Sequence, residues 1–241
     1  MDDKEAQDYS RVRELIRRGI GGFSRYGDLD TLFDPRDRNV LDYGWAGAQK
    51  RYLSLIERGA RQVAGIDLWW TQEDLDQVHK EVQDEGVADR VDFRLSDAYS
   101  TPFADDSFDI VVGGSILHHL DLERALPEIR RVLRPGGRAV FVEPLAHNPI
   151  LRAGRVLTRK VRSEDGRPFS ESDWERCANY FPDFEHVERE LSTIPLMPLN
   201  LMLSPRRQEG LARKVWAFDE RIMERYPRLR KHARITFLVL K

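Results

Sequence analysis

Several things are scarce in this chain. Among 241 residues there is a single cysteine, Cys177. One thiol builds neither an internal disulfide framework nor a cysteine-rich metal site, and no metal is expected. No apolar run reaches the roughly 18–20 residues of a membrane span. The stretch from Ile194 to Leu203 is short, and Pro195 and Pro198 interrupt it. An excess of one charge is also missing. Lys and Arg number 39 against 41 Asp and Glu, so the net charge is -2 and gives no reason to expect nucleic acid. Met1-Asp2-Asp3-Lys4-Glu5 lacks the apolar core of a signal peptide, which leaves a cytoplasmic setting as the expectation. There is no internal repeat and no low-complexity tract.

What is present suits one large α/β domain. An apolar fraction of 41% is enough to fill a globular core at this length. Apolar runs predict strands at 39–43, 62–66, 91–95, 108–113 and 137–142, a sixth at 184–191 and a last at 235–240. Helical patterns lie between them, near 49–58, 71–85 and 121–133. Crossovers of this length imply parallel strands joined by right-handed units. A further helix starts at Ser170 or Ser172, either of which has an acid three residues on. Residues 5–20 read as an N-terminal helix, and 205–226 as a basic amphipathic one. The last strand follows a long excursion and is expected to add antiparallel at the sheet edge. The predicted fold is thus a Rossmann-like doubly wound α/β sheet, mostly parallel, with an antiparallel last strand. Its expected divisions are a helical cap over 1–30, a core over 36–145, a lid with insertions over 144–232, and a closing strand at 234–240.

The chemistry starts at Val40-Leu41-Asp42-Tyr43-Gly44-Trp45-Ala46-Gly47-Ala48, a strand entering a turn of small residues. About twenty residues later Val63-Ala64-Gly65-Ile66-Asp67 ends a second strand in an acid. That is the layout of a nucleotide-binding βαβ unit. Asp42, Asp67 and Asp97 fall at the carboxyl ends of three adjacent strands, where open α/β sheets bind ligands. A carboxylate at Asp67 can accept both hydroxyls of a ribose, and one at Asp97 can accept from an adenine amino group. A nicotinamide dinucleotide would want Gly-x-Gly-x-x-Gly in the first turn, and that motif is absent.

Phe103-Ala104-Asp105-Asp106-Ser107-Phe108-Asp109-Ile110-Val111, with Ser115-Ile116-Leu117-His118-His119-Leu120, resembles the fourth-strand motif of class I S-adenosylmethionine (SAM)-dependent methyltransferases. The run Ala125-Leu126-Pro127-Glu128-Ile129-Arg130-Arg131-Val132-Leu133-Arg134-Pro135-Gly136-Gly137 is similar to the family's helix and turn before strand five. The resemblance implies SAM as cofactor, the class I methyltransferase fold, and methyl transfer to a small molecule, in keeping with secondary metabolism. It would place Asp67, flanked by Leu68, on the ribose, and Asp97 and Ala98 at the adenine. The turn Asp42, Tyr43, Gly44, Trp45 and Gly47 would hold the methionine part, with Ser115 beneath the sulfonium. The family turn reads Asp-x-Gly-x-Gly-x-Gly, and here at least one of its glycines is missing in either register.

Methyl transfer needs orientation, desolvation and, for a proton-bearing acceptor, a base. Candidates near strands four and five are Glu143, His118, His119 and His147, with Asn148 and Tyr180 further along. The altered turn leaves a second reaction open, in which SAM's own amine displaces methylthioadenosine to form azetidine-2-carboxylate. A non-catalytic binding module of the same fold is a third reading. Basic segments at 152–162 and 206–225 read either as lid faces paired with Glu209, Asp219, Glu220 and Glu224, or as recognition of an anionic substrate, a carrier protein or an anionic membrane surface. Oligomeric state is left open, a homodimer among the options.

Overall fold

The computed structural model describes residues 29, 32–44, 51–68, 70–149, 152, 167–192 and 205–241. Side chains at 205–210, 212 and 213 are outside that description, as is the predicted helix at 5–20. Seven strands form one sheet: β1 Asn39–Tyr43, β2 Gln62–Asp67, β3 Val91–Leu95, β4 Phe108–Gly114, β5 Leu133–Pro144, β6 Glu185–Arg189 and β7 Ile235–Leu240. Among the described residues five α-helices accompany them: α1 Arg51–Glu57, α2 Gln72–Asp84, α3 Leu122–Val132, α4 Glu171–Tyr180 and α5 Pro205–Arg225.

The strand order is β3-β2-β1-β4-β5-β7-β6. All pairs among β1 to β5 are parallel, and β7 runs antiparallel to both β5 and β6. The expected antiparallel last strand is therefore present, though inserted between β5 and β6 instead of lying at the edge. The chain switches direction between β1 and β4, so the carboxyl ends of these neighbours open a crevice.

Apolar residues alternate across the central strands because both faces are covered. Val40, Ile110, Val112, Val140 and Phe237 face one layer with Tyr52 and Leu55 of α1 and Leu75, Val78 and Val82 of α2. Leu41, Val111, Phe141 and Leu238 face the other, against Leu126 and Ile129 of α3 and Cys177 and Phe181 beside α4. Each fully buried Leu or Ile contributes roughly 1.5–3 kcal/mol.

Strand boundaries follow the expected ranges closely except at β5. Leu133 already pairs with Phe108 before a bulge, and Gly136, at φ 77, turns the chain so that Arg138 pairs with Ile110. Helix α4 is capped by Ser170, not Ser172. Asp173 accepts from the Ser170 amide, and Ser170 in turn caps the helix. Two of the lid acids expected to pair with the basic helix do not. Asp219 of α5 accepts from the Ser192 amide and hydroxyl, at 3.1 and 2.6 Å, and Glu220 pairs with Arg189 of β6. Lys214, Arg221 and Arg225 are exposed. Among the described residues no helix is long and apolar enough to cross a membrane.

Candidate active site

The ends of β1, β2 and β3 carry the three aspartates in register. Asp42 sits opposite Gly65, and Asp67 opposite Leu95, with Asp97 two residues beyond the strand. Asp42 and Asp67 are buried, at 3% and 6% exposure, whereas Asp97 is exposed. A buried carboxylate needs partners. Arg51, at the start of α1 and itself buried, lies with its guanidinium 3.6 Å from Asp42. Sequence reasoning missed Arg51; the signal was a cation at a position where the helix turns inward. Asp97 accepts from the Tyr99 amide at 2.9 Å, which closes a short turn. The Asp67 carbonyl accepts from the Ser96 amide at 3.1 Å and sets that turn beside β2. Leu68 follows Asp67 and is 64% exposed, an apolar side chain on the same rim.

Below this rim the loop after β3 is pinned to α3. The amide and hydroxyl of Thr101 each donate to Glu128 at 2.7 Å, and Arg131 binds the same carboxylate. Burial raises the pKa of Glu128, but Arg131 and Thr101 outweigh it and the net shift is downward.

Gly44 adopts φ 74, and its amide donates to the Ile66 carbonyl at 3.0 Å. A Cβ there would stand 2.4 Å from Cγ1 of Ile116, so the strand-one turn and the turn after β4 touch at this point. Trp45 and Gly47 lie outside the described residues. Tyr43 is fully buried, its ring edge-on to Phe141, and its hydroxyl donates to the Ala98 carbonyl. It braces the loop of Asp97 and Ala98 from within the core. Burial, with Glu128 and Asp97 nearby, raises its pKa.

The turn after β4 is organised by Glu143, which has no solvent exposure. One carboxylate oxygen accepts from the amides of Ile116 and Leu117, at 3.0 and 2.8 Å. The other accepts from the His118 amide at 3.3 Å and meets His118 Nδ1 at 2.7 Å. These bonds hold Ser115 at φ 56, a left-handed conformation that costs a non-glycine residue roughly 1–3 kcal/mol. Ser115 also donates its amide to the Val142 carbonyl at 2.8 Å. His119 is exposed, its ring centroid 4.0 Å from that of His118.

The candidates further along the chain are engaged elsewhere. Asn148 is buried and donates to the His232 carbonyl at 2.7 Å, joining the segment after β5 to the turn before β7. The Tyr180 hydroxyl, at the end of α4, donates to Glu123 of α3 at 2.8 Å. The strand ends thus assemble Asp42, Gly44, Ser115, His118 and Glu143 on one side of the crevice, and Asp67, Leu68, Asp97 and Ala98 on the other.

The sequence model of the family described as a methyltransferase domain matches residues 41–141. Methyltransferase GfsG of Streptomyces halstedii is 37% identical over 157 residues, covering 56% of this chain and 55% of that protein. A demethylmenaquinone methyltransferase of Bacteroides fragilis is 30% identical over 145 residues, covering 59% and 58%. The chain therefore spans little more than half the length of the curated relatives it matches. Among solved structures, phosphoethanolamine N-methyltransferase 2 of Haemonchus contortus, in complex with SAM, superposes with a TM-score of 0.61 at 19% identity, covering 91% of this chain and 52% of that one. Geranyl diphosphate methyltransferase in complex with SAM gives 0.58 at 18% identity, covering 88% and 80%. Over residues 41–141 the chain is similar in sequence to the methyltransferase-domain family, and its strands and helices are laid out as in the solved SAM-dependent methyltransferases.

Proposed function

We propose that this protein is a SAM-dependent methyltransferase acting on a small molecule in secondary metabolism. The observation that carries the reading is the register of Asp42, Asp67 and Asp97 at the carboxyl ends of three adjacent strands. The residues fit the cofactor. Asp67 offers a carboxylate at the base of the crevice for the ribose hydroxyls, and Asp97 offers an acceptor beside it for the adenine amino group, with Ala98 next to it. Leu68 supplies an exposed apolar side chain for the purine face. Gly44, at φ 74, keeps the strand-one turn free of a side chain where the methionine part would lie.

When bound, SAM supplies an electrophilic methyl group on a sulfonium. The protein's own work is to hold that group in line with the acceptor and to keep water away. In this reading the described lid segments 144–149, 167–192 and 214–232 cover the acceptor, and the α5 cations Lys214, Arg221 and Arg225 are available to an anionic one.

Calorimetry with SAM and S-adenosylhomocysteine tests the proposal. The wild-type chain is expected to bind both, and Asp67→Asn to bind at least 10-fold more weakly. No binding by wild type sinks the reading. Mass spectrometry of SAM incubated with the protein alone separates the two chemistries. Unchanged SAM counts against cyclisation, whereas methylthioadenosine formed without an acceptor transfers the assignment to it.

A further inference from the structure

We infer that His118 and Glu143 form a carboxylate-backed imidazole base, and that the methyl acceptor is a nucleophile that carries a proton, a hydroxyl or an N–H. The inference rests on the methyltransferase reading above. Its starting point is an imbalance in what Glu143 does. Three consecutive amides already fix the turn to its carboxylate, at 3.0, 2.8 and 3.3 Å. The imidazole contact at 2.7 Å adds nothing the turn needs, but it does determine the state of the ring.

Glu143, buried and receiving four donors, acts as a pure acceptor, so His118 Nδ1 carries the hydrogen between them. The other nitrogen, Nε2, is then the bare one. It has no hydrogen-bond partner among the described residues and is not sealed from solvent. The ring cannot rotate away without breaking the Glu143 contact, and His119 packs against it. An imidazole with one nitrogen tied to a buried carboxylate and the other open is the arrangement that general-base catalysis uses.

Location supports the same conclusion. His118 lies in the turn Leu117–His119 just beyond the end of β4, at the carboxyl rim. The neighbouring Ile116 packs on Gly44, so this turn abuts the strand-one turn, away from the Asp67 and Asp97 side. The base therefore stands at the reacting end of the crevice. The step balances as follows. The acceptor's bond to hydrogen breaks and its proton passes to Nε2. A bond forms between the acceptor atom and the methyl carbon. The electron pair of the sulfur–methyl bond stays on sulfur, which leaves as a neutral thioether. The imidazolium so formed rests against the Glu143 carboxylate. An acceptor without a proton, such as a thioether or tertiary amine, has no use for this pair.

Nitrogen-detected NMR of the ¹⁵N-histidine-labelled chain reads the tautomer directly, with no substrate present. Neutral His118 is expected as the Nδ1–H form, because Nδ1 faces the Glu143 carboxylate at 2.7 Å. An Nε2–H tautomer overturns the inference. Turnover supplies the second arm. Phenols, polyols and primary amines are offered to the enzyme against dimethyl sulfide and trimethylamine. His118→Asn is expected to lower kcat on the protic probes by roughly 100-fold or more while S-adenosylhomocysteine affinity holds. Methylation of an aprotic probe, of none of the probes, or at an unchanged rate in His118→Asn overturns it, provided that S-adenosylhomocysteine still binds. Failure of wild type to bind S-adenosylhomocysteine overturns both readings, and the calorimetry above identifies that case.

Discussion

The hydroxyl of Tyr43, on the first strand, donates to the carbonyl of Ala98, 55 residues later in the loop beyond the third. One buried side chain thereby ties the two halves of the crevice together. Its backbone leads into the Gly44 turn, and its tip holds the loop of Asp97. Tyr43→Phe keeps the ring and its edge-on contact with Phe141 but leaves the Ala98 carbonyl without its donor. A loss of about 1 kcal/mol is expected, at the low end for an unpaired group because Ala98 is only half-buried. Affinity for SAM should fall several-fold as the loop loosens. Urea titration and calorimetry measure the two, and unchanged affinity would remove Tyr43 from the site.

Gly44→Ala faces two separate penalties. The residue sits at φ 74, where a side chain costs about 1–2 kcal/mol. The new methyl group would also meet Cγ1 and Cδ1 of Ile116 at 2.4 and 2.6 Å. Together these predict a loss of about 2–4 kcal/mol. Ile116→Ala should relieve the second penalty and not the first, so a double-mutant cycle is expected to show a coupling of about 1 kcal/mol or more. Simple additivity would mean that the two turns do not press on each other.

The difference between what the sequence disclosed and what it hid is one of range. Val40, Leu41 and their equivalents in β4, β5 and β7 are apolar on both faces, so the strands were legible from short runs. Ser170 and Asp173 are three residues apart, and the cap they form is a local event. Glu143 was legible as a strand-end acid. Its role was not, because its donors come from a turn 25 to 27 residues earlier. Asn148 and Tyr180 drew attention as polar side chains past the sheet, but His232 is 84 residues from the one and Glu123 57 from the other. Asp219 and Glu220 looked like partners for the arginines on their own helix. They bond instead to Ser192 and Arg189, beyond any helical spacing.

Asp173 predicts a defined acid sensitivity. It is 1% exposed and accepts from Arg167, Arg176 and Ser170. Burial raises its pKa, but the Arg167 and Ser170 bonds and the Arg167 charge outweigh burial and hold it below the ordinary carboxylate value. A carboxylate with a depressed folded pKa stabilises above its unfolded value of about 3.9, and that contribution is lost as pH falls below it. Asp173→Asn should cost about 1.5–3 kcal/mol at neutral pH, as expected for hydrogen bonds to a charged group. The gap between variant and wild type should narrow below about pH 4. A gap that stays constant from pH 7 to 3.5 in urea titrations would show that the charge contributes nothing.

Cys177 gives the opposite sign. Its thiol is fully buried against α3 and the sheet, and burial, with Asp173 and Glu143 nearby, pushes its pKa up to about 12. An unfolded cysteine titrates near 8.5. A group whose folded pKa is raised contributes fully below the unfolded value and loses that contribution as pH rises towards the folded one. Wild type should therefore lose about 1.4 kcal/mol from this group by about pH 9.5, one unit above the unfolded value. Cys177→Ala has its own cavity cost but no such slope, so its stability relative to wild type should improve between pH 7.5 and 9.5. The same burial makes the thiol a reporter of opening. At pH 8 an aromatic disulfide reagent should label it no faster than the domain unfolds, and urea should accelerate labelling in step with the unfolding transition. Rapid labelling in the absence of denaturant would mean that α4 detaches from the sheet on its own, and the layer that Cys177 helps to build would not be a cooperative part of the fold.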